Sequence, residues 1–402
     1  MKKVFFHAAV LAGTMALADV TGVTFHQDSM TRHVRIDYTL DAPAIVTVDF
    51  LTNGVSIGAQ NFRNAYGDVN RLVKTPAGRI EWQPAAPDGW PGYKITDGSF
   101  KAVVTAWATN APPDYMAIDL NVKSNVLFYV SEDAMPAPVT NDMWKTDWLL
   151  MKRIHAANTI WRMGSAPSES GRTASSEQGH LVMLTQDYYM GVYMVTQKQW
   201  GHFGGANPSA PGTKTGDILP VNRVIFSSMR GSTYSWPADG HAVTADSAFG
   251  CLRAHSGINS FDLPTEAEWE YSCRAGTNTR SYDGTETTNS LPSLAWYVAN
   301  SGGTGVMHPV GQKLPNAWGL YDMYGNTFEV CLDRWATEAY IEGLITVDPV
   351  GPDNDSVSCV SRGGSCDHAA SYSRTASRNG VRLEGSSYYQ GLRLKCAARV
   401  DL

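Results

Sequence analysis

Charge is scarce in this chain. Only 17% of its 402 residues are Asp, Glu, Lys or Arg, and the balance is slightly acidic, with a formal net charge of -6. No basic stripe is present, so composition gives no electrostatic footprint for nucleic acid. The six cysteines form no C-x-x-C pair, which removes zinc-ribbon and thioredoxin-type readings. The ten histidines are scattered, without H-x-x-x-H or facial-triad spacing. No Gly-rich phosphate loop stands at a strand–helix junction, and there is no tandem repeat. Beyond the N-terminus no apolar run is long enough to span a membrane.

What is abundant is Gly (37), Trp (12) and Tyr (18). That mixture suits a loop-rich fold held by aromatic packing better than a helical bundle. The first 18 residues read as a secretory signal. Lys2 and Lys3 precede an apolar stretch from Val4 to Leu17, and Ala16-Leu17-Ala18 is an A-x-A cleavage site. The expected location is therefore exported: periplasmic, cell-surface or secreted. In an oxidising compartment an even cysteine count predicts disulfides, with 15 possible connectivities.

From Asp19 to about residue 135 the apolar pattern has period two. Val34, Ile36, Tyr38 and Leu40 alternate with polar neighbours, as do Val46, Val48 and Phe50, then Phe100, Ala102, Val104, Ala106 and Ala108. Half-buried antiparallel strands produce this alternation, and Pro84 to Gly92 is a break between them. An all-β, immunoglobulin-like sandwich follows. Such modules space, dock or stabilise, and nothing in this one suggests catalysis. Residues 136–147, opening on Pro136-Ala137-Pro138, read as a linker to a second domain at 148–402, giving an α+β chain overall.

In the second domain one helix is clear. Thr265 and Glu268 form a T-x-x-E capping box, and Trp269 and Cys273 fall on one face. Glu266, Glu268 and Glu270 read as solvated charges at its start. Ser165 to Gln178 reads as an exposed loop.

An ordered set of segments gives this domain more specificity: Met163-Gly164-Ser165, Tyr189-Met190-Gly191-Val192, LPTEAEWEY at 263–271, NAWGLYDMYGN at 316–326, Ser361-Arg362-Gly363-Gly364-Ser365, Ser377-Arg378-Asn379-Gly380 and Gly391-Leu392-Arg393-Leu394. Over about Trp148 to Ala398 this set resembles the formylglycine-generating enzyme, or sulfatase-modifying factor, family. The resemblance implies an irregular α+β fold related to C-type lectins. Asn326 and Glu329 match the family's calcium-binding stretch, where amide and carboxylate oxygens suit a hard cation, and simple turn hydrogen bonding is the alternative. Asn300 matches the start of a second calcium site, but no acidic residue follows it in Ser301 to Met307.

The family's catalysis uses two copper-binding cysteines after the Gly-Gly-Ser. Counted from Ser365, those positions hold His368 and Ser373. Copper would therefore lack its soft thiolate ligands. Cys366 admits three readings: a disulfide with Cys359 or Cys331, a buried thiol, or a shifted active site with His368. Ser365 and Arg374 fall where the family lines its pocket, and Arg374 could bind an anion or form a structural ion pair. Two functions remain open. One is a divergent, non-catalytic relative whose Asp367, His368, Tyr372, Arg382, Tyr388 and Tyr389 bind a protein or small extracellular ligand. The other is an active oxidoreductase converting a sulfatase cysteine to formylglycine.

Overall fold

The computed structural model describes residues 18–84, 100–209, 215–231, 243–337, 344–352 and 356–400. The signal segment lies outside these apart from Ala18, as does most of the break after Pro84. The chain divides into two compact units, one essentially residues up to Pro113 with Phe128–Pro136, the other Asp114–Leu127 with Ala137–Asp401.

In the first unit the alternating segments become strands Val34–Leu40, Ala44–Thr52 and Phe100–Trp107. Val34–Leu40 lies between Val20–Gln27 and Ala77–Trp82, with Tyr66–Gly67 at the far edge. Ala44–Thr52 pairs with Phe100–Trp107, Arg71–Val73 and Val55–Ser56. All these pairings are antiparallel. Each sheet turns one face inward: Val34, Ile36, Tyr38 and Leu40 meet Ala44, Val46, Val48 and Phe50 in a single core. Phe50 stacks on Trp82 of the other sheet at 4.4 Å between ring centroids. The sequence period of two is thus the direct record of a two-sheet core.

The boundary differs from the expected one. Tyr115–Asp119, placed with the sandwich on sequence, pairs with Trp148–Ile154 in the second unit. Residues 136–147 are not a free linker either, because Asp142–Lys145 forms a 3-10 turn that buries Trp144 and Lys145. An indole that can be buried folds its segment into the unit that buries it.

The second unit is built from short sheets joined by turns. One sheet has Trp148–Ile154 between Tyr115–Asp119 and Tyr188–Gly191, with Lys395–Ala397 beyond the latter. A second has Phe328–Arg334 between Ser358–Arg362 and Gln390–Gly391, with Arg378–Arg382 outermost. A third joins Thr159–Met163, His180–Leu184 and Ile345–Val347. The helix Glu266–Arg274 carries the expected capping box, with the Thr265 side chain accepting from the Glu268 N–H at 3.2 Å and the Glu268 carboxylate accepting from the Thr265 N–H. It ends with Ala275 in the left-handed region, φ 45°, before Gly276. Trp269 and Cys273 sit together in the main core of this unit.

The acidic helix start departs from expectation. Glu266 and Glu270 are fully buried, not solvated. Glu270 pairs with Arg274 at 2.7 Å and with Arg362, and accepts from the Gly164 N–H at 2.8 Å. Arg378 grips both oxygens of Glu266 at 2.6 and 2.7 Å. Charges this deep persist only when paired and hydrogen-bonded. Four of the recognised segments are joined by a further node. Glu329 binds Arg393 at 2.7 Å and accepts from the Trp269 indole N–H at 2.6 Å. Arg393 also donates to the carbonyls of Gly191, Val192 and Tyr321 at 2.7 to 3.0 Å.

Two substitutions should separate these contributions. Arg393→Met leaves the Glu329 charge buried without its cation and is expected to cost about 3–5 kcal/mol. Thr265→Ala removes one cap and should cost about 1 kcal/mol. Chemical denaturation followed by tryptophan fluorescence measures both; equal losses would deny the ion pair its central place.

Candidate functional site

The loop after the Gly-Gly pair begins at the end of strand Ser358–Arg362, next to the central strand of the second sheet. Gly363 and Gly364 both take left-handed conformations, φ 89° and 77°. A Cβ on Gly364 would stand 2.9 Å from the Ser373 Oγ, so glycine is required where the two ends of the loop meet. Beyond it, Ser365 Oγ lies 2.6 Å from His368 Nδ1 and accepts from the Asp367 N–H at 3.3 Å. His368 O accepts from the Val298 N–H, tying the loop to a second segment.

The structure brings most of the predicted residues together around His368. Its ring has edge-on neighbours in Phe328 at 4.8 Å, Tyr389 at 4.9 Å and Tyr372 at 5.0 Å between centroids. Tyr388 packs on Tyr389 at 5.2 Å and donates to Asp367 at 2.5 Å. That bond raises the Tyr388 hydroxyl pKa to about 12. The other Asp367 oxygen accepts from the Gly305 N–H at 2.6 Å. Partial burial lowers the His368 pKa, favouring the neutral ring. Tyr372 is the most open member of the cluster, 38% exposed. Arg382 stands apart from this group. It is exposed on strand Arg378–Arg382 and lines a separate hollow of about 470 Å³ with Arg334, Val357 and Glu384.

The cysteines depart from expectation. All six are free thiols, five of them buried. Cys359 Sγ points at the Val381 carbonyl and Cys331 Sγ at that of Glu329, so neither is joined to Cys366. Cys366 is fully buried, and burial pushes its thiol up to about 12. A protonated thiol is a poor copper ligand. Ser373 Oγ is buried and has no hydrogen-bond partner among the described residues. The donor set around His368 therefore does not fit the thiolate copper site of the family.

The expected calcium ligands are also committed elsewhere. Asn326 accepts from the His308 N–H at 3.0 Å and donates to the His308 carbonyl at 2.9 Å. Both oxygens of Glu329 face Arg393. Asn300 accepts from the Tyr297 N–H and donates to the Ala295 carbonyl. Six or more oxygens are needed around calcium, and these side chains, as placed, do not offer them. Arg374 is held by Glu177 through two bonds of 2.7 and 2.8 Å and by Glu169 at 2.7 Å, so its geometry is that of a structural ion pair. Glu169 and Glu177 come from the expected loop at 165–178, whose partners lie some 200 positions away and leave no local signal.

Sequence reasoning also passed over Phe328, the floor of the aromatic cluster, and Asp322. The latter is buried at φ 54°, accepts from the Gly311 N–H at 2.6 Å, and leaves its other oxygen without a partner among the described residues. Burial lifts its pKa to about 6.

With the geometry in place, the class follows. Residues 157–398 match the family described as the sulfatase-modifying factor enzyme 1-like domain, and the chain belongs to that family. A relative from Paenibacillus barcinonensis named chaperone protein LppX is 31% identical over 193 residues, 40% of this chain and 67% of its own length. The formylglycine-generating enzyme of Streptomyces coelicolor is 37% identical over 155 residues, covering 35% of this chain and 47% of the enzyme. The match thus spans under half of that enzyme. Among solved structures, Treponema denticola variable protein 1 is 29% identical with a TM-score of 0.48, covering 62% of this chain and 95% of that one.

Two outcomes are expected. Without reductant, a thiol reagent should label Cys251 alone in the native protein and all six cysteines after denaturation; fewer than six would reveal disulfides. Asp322 concerns pH. Its folded pKa lies above the ordinary 3.8, so burial penalises the charged form and stability falls as pH rises from about 4 through 6. A difference of that size corresponds to about 3 kcal/mol. Asp322→Asn keeps an acceptor for Gly311 and suits the positive φ, so it should raise Tm at pH 8 and leave it nearly unchanged at pH 4.

Proposed function

We propose that this chain is an exported, non-catalytic member of its family, in which the lectin-like face around His368 binds a protein or small extracellular ligand. One observation carries the reading. The two positions that match the family's cysteines are His368 and Ser373, and the neighbouring Cys366 is a buried, protonated thiol. The aromatic group of His368, Tyr372, Tyr388 and Tyr389 supplies rigid rings of low conformational entropy, the usual material of recognition surfaces. The similarity to a protein named as a chaperone favours a protein ligand.

Export rests on the N-terminal signal pattern. No helix among the described residues is long and apolar enough to cross a membrane. The first unit we take as immunoglobulin-like, a reading supported by its two antiparallel sheets over one core. Its role would be to space or dock the second unit.

The competing reading is an active formylglycine-generating oxidoreductase, favoured by the similarity to that enzyme. Purified protein incubated with copper, oxygen and a cysteine-containing sulfatase peptide decides between them by mass spectrometry. Unchanged cysteine mass is expected; conversion to the aldehyde would overturn the non-catalytic assignment.

A further inference from the structure

The first unit holds a cleft of about 420 Å³, within the range of about 300–1,000 Å³ typical of small-molecule sites. Its floor is the sheet face turned away from the core. On Ala44–Thr52 the core takes Val46, Val48 and Phe50, which leaves Thr47 and Asp49 on the other side. Across the ladder, Thr105 pairs with Thr47, and Trp107 lies one pleat further on the same face.

Two walls rise from this floor. The first is the turn from Ser56 to Phe62. Asp49 anchors it, accepting from the Ser56 hydroxyl at 2.7 Å, and Ser56 in turn accepts from the Gly58 N–H at 3.0 Å. The second is the turn from Ser131 to Ala134. Arg63 joins the walls by donating to the Asp133 carbonyl at 3.3 Å. The indole of Trp107 is fixed by its own N–H, which donates to Thr47 Oγ1 at 2.9 Å. A side chain locked in this way presents its ring without further entropy loss on binding.

The polar complement is mixed. Gln60, Asn70 and Asp133 line the cleft, and their side chains make no hydrogen bond among the described residues. Arg63 uses one of its five N–H groups there. Carboxamides donate and accept, carboxylates accept, and guanidinium donates. Two acidic groups and one guanidinium create no strong field for an ion. A fixed indole beside such a set complements a ligand that is neutral, has apolar C–H faces, and carries hydroxyls that both donate and accept.

We infer that this cleft is a saccharide-binding site, taking a neutral sugar of one to a few rings with a C–H face toward Trp107 and hydroxyls toward Gln60, Asn70, Asp133 and Arg63. The site belongs to the first unit alone and does not depend on the role assigned to His368. It makes the sandwich a targeting module.

The test is saturation-transfer NMR on the full chain with cellotriose, chitotriose, maltotriose and xylotriose as separate probes. At least one should give saturable transfer. Gln60→Ala combined with Asp133→Ala, both at exposed positions, should weaken that binding by about tenfold or more with unchanged Tm. Trp107→Ala should abolish it, and His368→Ala should leave it intact. The inference fails if no probe gives transfer at millimolar concentration. It fails equally if transfer survives the Gln60/Asp133 pair, or is lost with His368→Ala.

Discussion

The ion pair between Glu329 and Arg393 organises the second unit. Every N–H of the guanidinium has a partner: Glu329 takes two sides, and the carbonyls of Gly191, Val192 and Tyr321 take the rest. Glu329 in turn accepts from the Trp269 indole. One buried charge pair thus joins the helix, the strands Phe328–Arg334 and Tyr188–Gly191, and the irregular stretches around Tyr321 and Arg393. The desolvation cost of burying two charges is offset only when the geometry is complete, and here it is. A fold with so little regular secondary structure has few long ladders to hold it, so side-chain networks take over that task.

Other buried pairs repeat the principle. Arg362 with Glu270, Arg378 with Glu266, and Arg374 with Glu177 fix the strand before the Gly-Gly turn and the loop after it. Glu266, Glu270, Arg362 and Arg378 fall within the segments that carry the family resemblance. They build a frame whose integrity does not require thiols at positions 368 and 373. That is the physical reason the framework tolerates a histidine at position 368 and a serine at position 373. At His368 an imidazole fits because three aromatic edges and the Ser365 hydroxyl accommodate it.

Legibility varied with the range of the interaction. The strands Val34–Leu40 and Ala44–Thr52 and the capping box at Thr265 were readable because their signals are local: period two in one case, a three-residue spacing in the other. The buried state of Glu266 and Glu270 was not, since an acidic first turn on a capped helix looks the same whether solvent or arginine faces it. Cysteine parity suggested disulfides, but parity carries no distance, and all six thiols are free. The side chains of Asn326 and Glu329 have the chemistry of cation ligands, and only their placement shows that the Asn326 oxygen accepts from the His308 N–H and the Glu329 oxygens face Arg393.

By itself the sequence determined the family, the helix with its cap, and the presence of a histidine and a serine at positions 368 and 373. Each depends on residue identity and short-range order, which a linear string preserves. Tertiary structure alone decided which unit owns Tyr115–Asp119, which charges neutralise one another, and that Phe328 completes the ring of aromatics around His368. It also decided that Trp107 is locked over a cleft between two turns. These are contacts between residues tens to hundreds of positions apart, set by how sheets and turns pack, and no local pattern encodes them.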